Sequence, residues 1–205
     1  MDSPDVAGDV AALRAQVAQF TTFRGYRSHT VGLTGVLGIA AAMVQTDYLD
    51  ESASHLGRYI DYWVGVALVN LLIIGAEFWY QWSRVPTPLG QRLTVLAVRK
   101  LVPSFAAGVV ITTTVLMQEP VCGWMLPGLW GILFSLGVFS SASLLPKPIR
   151  WVGAYYLAAG SLCLVLGKGE WAFSSWLMAG TFGVGQILGA LVLHFTVERD
   201  PLAEI

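Results

Sequence analysis

Apolar positions along the chain come in long unbroken runs. From Leu101 to Pro146 the only charged residue is Glu119, while Trp151–Gly167 and Trp171–Val197 carry none. A hydrocarbon core of ~30 Å is crossed by ~20 apolar residues, each rising ~1.5 Å in a helix. Six stretches qualify: Ser28–Thr46, Asp61–Trp82, Leu101–Gln118, Val121–Leu145, Arg150–Gly167 and Trp171–Val197, the fifth being short for a perpendicular span. A lipid-facing barrel strand would alternate every second residue, and these runs do not. The spacing predicts an all-α integral membrane protein with six transmembrane helices.

Ahead of the first run the pattern changes. Val10, Leu13, Val17 and Phe20 recur at helical spacing among Asp9, Arg14, Gln16 and Gln19, which predicts an amphipathic helix over roughly Gly8 to Phe23. The chain then divides into an amphipathic helix with a basic segment (1–27), the bundle (28–197) and a short tail (198–205). The plainer role for the first helix is to lie in the membrane interface with its apolar stripe in lipid. The sharper one is docking to a cytoplasmic partner. The acidic opening Met1-Asp2-Ser3-Pro4-Asp5 is unlike a cleavable signal peptide, so the first span is expected to be retained. Between the second and third runs, Pro86-Thr87-Pro88 interrupts the chain and Leu89-Gly90-Gln91-Arg92-Leu93 restarts a helix. With Pro103 shortly beyond, this predicts a short interfacial helix leading into the third span.

Composition sharpens the picture. Of 205 residues, 55% are hydrophobic and only 12% charged, against ~25% charged in soluble domains. A soluble enzyme, a disordered tail and a secreted disulfide scaffold are all disfavoured. With six spans, one side holds Arg14, Arg24, Arg27, Arg84, Arg92, Arg99, Lys100, Lys147, Arg150 and Arg199, and the other only Arg58 and Lys168. That asymmetry predicts both termini in the cytoplasm, with the basic face toward anionic lipids. Trp63, Trp79, Trp82, Trp124, Trp151, Trp171 and Trp176 fall toward span ends, as in an aromatic belt.

Polar residues within spans are the default functional candidates in a membrane. Here they are Asn70, Glu77, Gln81, Gln186 and His194. A carboxyl at the depth of Glu77 must be neutral or paired, and the preferred reading pairs it with an arginine of the 84–100 segment. The sharper reading places it in a proton-coupled path. His29 and His194 lie at similar depth, but two imidazoles are an incomplete set for most metals, and no metal or cofactor is expected. Cys122 and Cys163 both fall in the outer half, so their depths allow a disulfide on the oxidising side, although buried single thiols are common in such helices. Gly32, Gly35 and Gly38 in the first span, with Gly185 and Gly189 in the sixth, are read as helix-packing positions that let backbones approach. No HExxH, GxSxG, Walker or CxxC pattern occurs.

The run Phe23-Arg24-Gly25-Tyr26-Arg27-Ser28-His29-Thr30-Val31-Gly32-Leu33-Thr34-Gly35-Val36-Leu37-Gly38-Ile39 resembles the opening of an uncharacterised group of small bacterial six-helix membrane proteins. Arg99-Lys100-Leu101-Val102-Pro103 and Phe182-Gly183-Val184-Gly185-Gln186-Ile187-Leu188 are similar to the third and sixth spans of that group. Its members are often encoded beside a winged-helix regulator, which implies a signalling link. Members tend to carry His where Gln186 stands. The group has no established activity, so the resemblance implies no catalytic residues.

Two classes of function follow. The preferred one is a noncatalytic membrane protein that senses for, or anchors, a cytoplasmic regulator or other membrane subunits, without binding nucleic acid directly. The alternative is a small transporter or channel with Glu77 in a polar path. An enzyme would need a convergent nucleophile, base or metal, and the sequence offers none. Topology is the first prediction: reporter fusions after Ser54 and after Lys168 should report the non-cytoplasmic side. A cytoplasmic signal from either would break the six-span arrangement.

Overall fold

Each apolar run folds as a helix because only a helix satisfies its own backbone donors and acceptors where water is excluded. The computed structural model describes residues 27–48, 56–84, 88–118, 120–169 and 171–198. The chain forms α1 (Ser28–Tyr48), α2 (Leu56–Arg84) and α3 (Pro88–Gln118), then a 3-10 turn at Pro120–Met125 leading into α4 (Leu126–Ser141), and α5 (Ile149–Leu166). The last helix, α6 (residues 175–198), alternates α-helical and π-helical stretches, the latter at Ala179–Val184 and His194–Glu198. No strand occurs among the described residues. Six helical segments, the fourth counted from Val121 in the 3-10 turn, are long and apolar enough to cross a membrane. The amphipathic stretch Gly8 to Phe23 lies outside the described residues.

Several boundaries differ from expectation. α2 starts at Leu56 rather than Asp61, because Leu56, Tyr59 and Ile60 are buried while Arg58 and Asp61 of the same turns stay exposed. The short interfacial helix expected before the third span is absent as a separate element: α3 runs unbroken through Pro103. Proline removes one backbone bond from a helix, and Pro103 is exposed near one end of the bundle, away from any packed face. α4 ends at Ser141 instead of Leu145, its last turn handing over to a bend before Pro146.

The core is built by small residues. A Cβ added at Gly35 would lie 2.9 Å from the Gly183 carbonyl oxygen of α6, and one at Gly38 3.5 Å from Gly183 Cα. Gly32 faces Ala190 one turn further on. Between α4 and α5, a Cβ at Gly160 would lie 2.8 Å from both the Gly128 carbonyl and the Ile132 nitrogen. Lipid tails are as apolar as leucine, so close packing takes over the role that water exclusion plays in soluble proteins. Gly185 faces the other way, against the ring of Tyr156 on α5. Around Tyr156 the rings of Phe134 (4.7 Å) and Phe182 (5.9 Å) close an aromatic centre.

Packing is uneven. The buried share of the spanning segment is 39% in α1 and 44% in α6, but 17% in α2 and 6% in α3. α1, α4, α5 and α6 form the tight unit, with α2 laid on α1 and α3 on α4, and those two helices touch each other lightly. Gly35→Ala should therefore cost about 1–3 kcal/mol of stability, the usual range for forcing atoms into a filled interior. Gly65→Ala, where nothing lies within 4 Å of the new methyl, should be neutral or gain up to ~1 kcal/mol. Thermal unfolding in detergent measures both, and equal losses would show that the α1–α6 contact is not the tight one.

Candidate functional site

Because consecutive helices alternate in direction, Arg27, Arg99, Lys100, Lys147 and Arg150 gather at one end, here called the basic end. Arg58, Asp61 and Lys168 lie at the far end. Three polar sets sit along this axis, at the basic end, in the middle and at the far end.

At the basic end, Arg27 Nε lies 3.7 Å from Glu77 Oε1. Glu77 thus has a partner in the residue that precedes α1; of the arginines expected from the 84–100 region, the side chains of Arg84 and Arg92 lie outside the described residues. The Arg27 contact follows from the packing, since α1 is the main neighbour of α2 and its first residues reach the same end. Arg27 is 63% exposed and Glu77 21%, so solvent screens the pair and its worth is about 0–1 kcal/mol. Lys100 donates to the Ser143 hydroxyl, tying α3 to the bend after α4.

Midway along α2, Asn70 is half-buried and its Oδ1 is buried without a hydrogen bond. Gln186 and His194 are half-buried on α6, with the His194 ring 5.4 Å from that of Phe195. The side chain of Gln81 lies outside the described residues. Among the described residues no group of three or more His, Cys, Asp and Glu gathers. Cys122 and Cys163 are free thiols, which corrects the disulfide considered from their depth. Cys163 is turned into the α5–α6 contact, its Sγ 3.2 Å from Thr181 Oγ1.

The far end holds a polar set that sequence reasoning missed. Gln45, 3% exposed, donates from Nε2 to the Phe173 carbonyl (2.7 Å) and accepts at Oε1 from Trp63 Nε1 (2.8 Å). One amide thereby joins α1, α2 and the turn before α6. Phe173 holds a positive φ of 64°, a left-handed conformation that non-glycine residues seldom adopt, and its ring meets Tyr59 edge-on at 4.8 Å. Trp63 therefore belongs to the core, unlike Trp79 and Trp151, which are more than three-quarters exposed as expected of a belt. The available signal was a lone glutamine in the last turn of an otherwise apolar span. The two ends together give α2 polar fastenings near its start and near its finish. This arrangement suits holding helices in place and presents no nucleophile with an adjacent base.

The chain matches no protein-family profile, no curated protein and no solved structure.

Gln45 and Asn70 should respond oppositely to the same change. Gln45→Leu leaves the Trp63 N–H and the Phe173 carbonyl buried and unpaired, at about 1–3 kcal/mol each, and should lower the unfolding temperature. Asn70→Leu removes an oxygen that has no partner and should leave stability unchanged or raised. A large loss in Asn70→Leu would mean that its oxygen is satisfied after all.

Proposed function

We propose that the chain is a noncatalytic multi-pass protein of a bacterial inner membrane, with both termini cytoplasmic, that senses for or anchors a cytoplasmic partner at its basic end. The observation that carries this reading is the Arg27–Glu77 pair. Glu77, a carboxylate well inside the second span, is used to fasten the segment leading out of the bundle. A change in that segment can therefore reach α2, and a change in α2 can reach the segment. The one-sided distribution of Lys and Arg supports the orientation, and the same charges suit contact with anionic lipids. The resemblance to small bacterial six-helix proteins encoded beside winged-helix regulators supports a regulator as partner, with the regulator, not this chain, contacting DNA.

The second reading is a small transporter or channel. It draws on the unpaired Oδ1 of Asn70, seven residues before Glu77 on the same helix. Flux in proteoliposomes under an imposed pH gradient separates the two. The wild-type protein and Glu77→Gln should both leave the gradient decaying at the protein-free rate. A flux present in wild type and abolished in Glu77→Gln would overturn the anchoring reading in favour of transport.

A further inference from the structure

The corner where α3, α4 and α5 meet the basic end gathers positive charge on a stiff backbone. The bend after α4 closes on two turns, from the Leu144 N–H to the Ser141 carbonyl (2.9 Å) and from the Ile149 N–H to the Pro146 carbonyl (3.0 Å). Lys147 is held between Pro146 and Pro148, whose rings each fix one backbone angle. Ile149 is buried and seats the start of α5. The Arg150 N–H donates to the Lys147 carbonyl (3.3 Å), so Lys147 and Arg150 share one turn and, being three apart, one side of it. From the neighbouring helix Lys100 reaches across to the Ser143 hydroxyl. Three cations therefore stand round one bend. Among the described side chains no carboxylate answers them, since Asp61 lies at the far end and Glu77 is paired with Arg27. The surface beside the charges is apolar. Val102, two residues past Lys100, and Trp151, next to Arg150, are 54% and 78% exposed.

We propose that this corner binds the headgroup of an anionic phospholipid, its phosphodiester among Lys100, Lys147 and Arg150 and its acyl chains over the apolar surface beside them. Like charges set round one bend repel one another, and an anion held between them turns that repulsion into attraction. The effect is strong beside a hydrocarbon core, where the low dielectric weakens screening. Because the backbone of the bend is already fixed, binding has only side chains to order. The neighbouring Val102 and Trp151 favour a lipid over an acidic peptide, which would answer the charges alone. Arg27, at the same end, is no part of the site, because Glu77 already supplies its counter-charge. The site deepens the anchoring reading and rests on its placing of the basic end at a membrane face that carries anionic lipid.

The test is native mass spectrometry of the purified full chain in detergent micelles, offered phosphatidylglycerol or phosphatidylcholine with identical acyl chains. The wild-type chain should retain phosphatidylglycerol about tenfold more tightly or better. Lys100→Gln, and Lys147→Gln with Arg150→Gln, should weaken phosphatidylglycerol by about fivefold for each charge removed and leave phosphatidylcholine unchanged. The double variant changes two exposed side chains that make no bond among the described residues, so it serves even where Lys100→Gln fails to fold without its tie to Ser143. Arg27→Gln at the same end and Arg58→Gln at the far end should bind as wild type does. A wild-type chain without preference for phosphatidylglycerol would overturn the site, and so would an equal loss in Arg27→Gln or Arg58→Gln, which would reveal a diffuse attraction. Displacement of the lipid by millimolar glycerol phosphate, or by poly-glutamate, would overturn it in favour of a soluble phosphate or an acidic protein partner. Binding is read on the isolated chain, where neither insertion direction nor a partner enters, so the lipid site and the anchoring reading can fail separately.

Discussion

Everything in this bundle depends on backbones meeting without side chains between them. Gly35 of α1 against Gly183 of α6, and Gly128 and Gly131 of α4 against Gly160 of α5, define two contacts so close that a methyl group does not fit without displacement. Dispersion falls away within an ångström of the optimum, so these contacts hold only at full closeness. The aromatic centre of Phe134, Tyr156 and Phe182 fills the space where the two glycine pairs converge. The positions of α2 and α3 follow as additions to that frame.

Within α6 the glycines could not all face one neighbour on a regular helix. Gly183 meets α1 while Gly185, two residues on, meets Tyr156 of α5. Residues two apart on a helix stand about 200° apart, so the two glycines serve opposite neighbours, and the π-helical stretch Ala179–Val184 lies beside this double contact. It also leaves the Gly180 carbonyl to receive the Tyr155 hydroxyl at 2.6 Å. A locally costly backbone is thereby stitched to the helix it packs against.

The six spans were legible because the length of a charge-free run is a local property, read directly along the chain. What was not legible depends on which helix lies beside which. Glu77 could be recognised as needing a partner, but finding Arg27 beside it required knowing that α2 lies on α1. Trp63 stands near a span end, as belt tryptophans do, and only its bond to Gln45 makes it a core residue. Pro103 reads as a break from sequence, yet one lost backbone bond at an exposed position is outweighed by the continuous helix on either side. Gln45 went unnoticed because a single amide near a span end has no pattern; its meaning lies in two partners distant in sequence.

The α1–α6 contact joins the first membrane helix to the last, so Gly35 waits for Gly183 through about 150 residues of synthesis. At ~5–20 residues per second that wait is roughly 7–30 s, longer than the microseconds to milliseconds in which packed helices normally find one another. Throughout it, the small-residue face of α1 is sheltered by nothing the ribosome has yet completed. A chain interrupted anywhere before α6 keeps that face open to any other helix with a matching groove. The price of closing a bundle with its two terminal helices is thus met during biogenesis, by a nascent protein whose tightest interface is the last to exist.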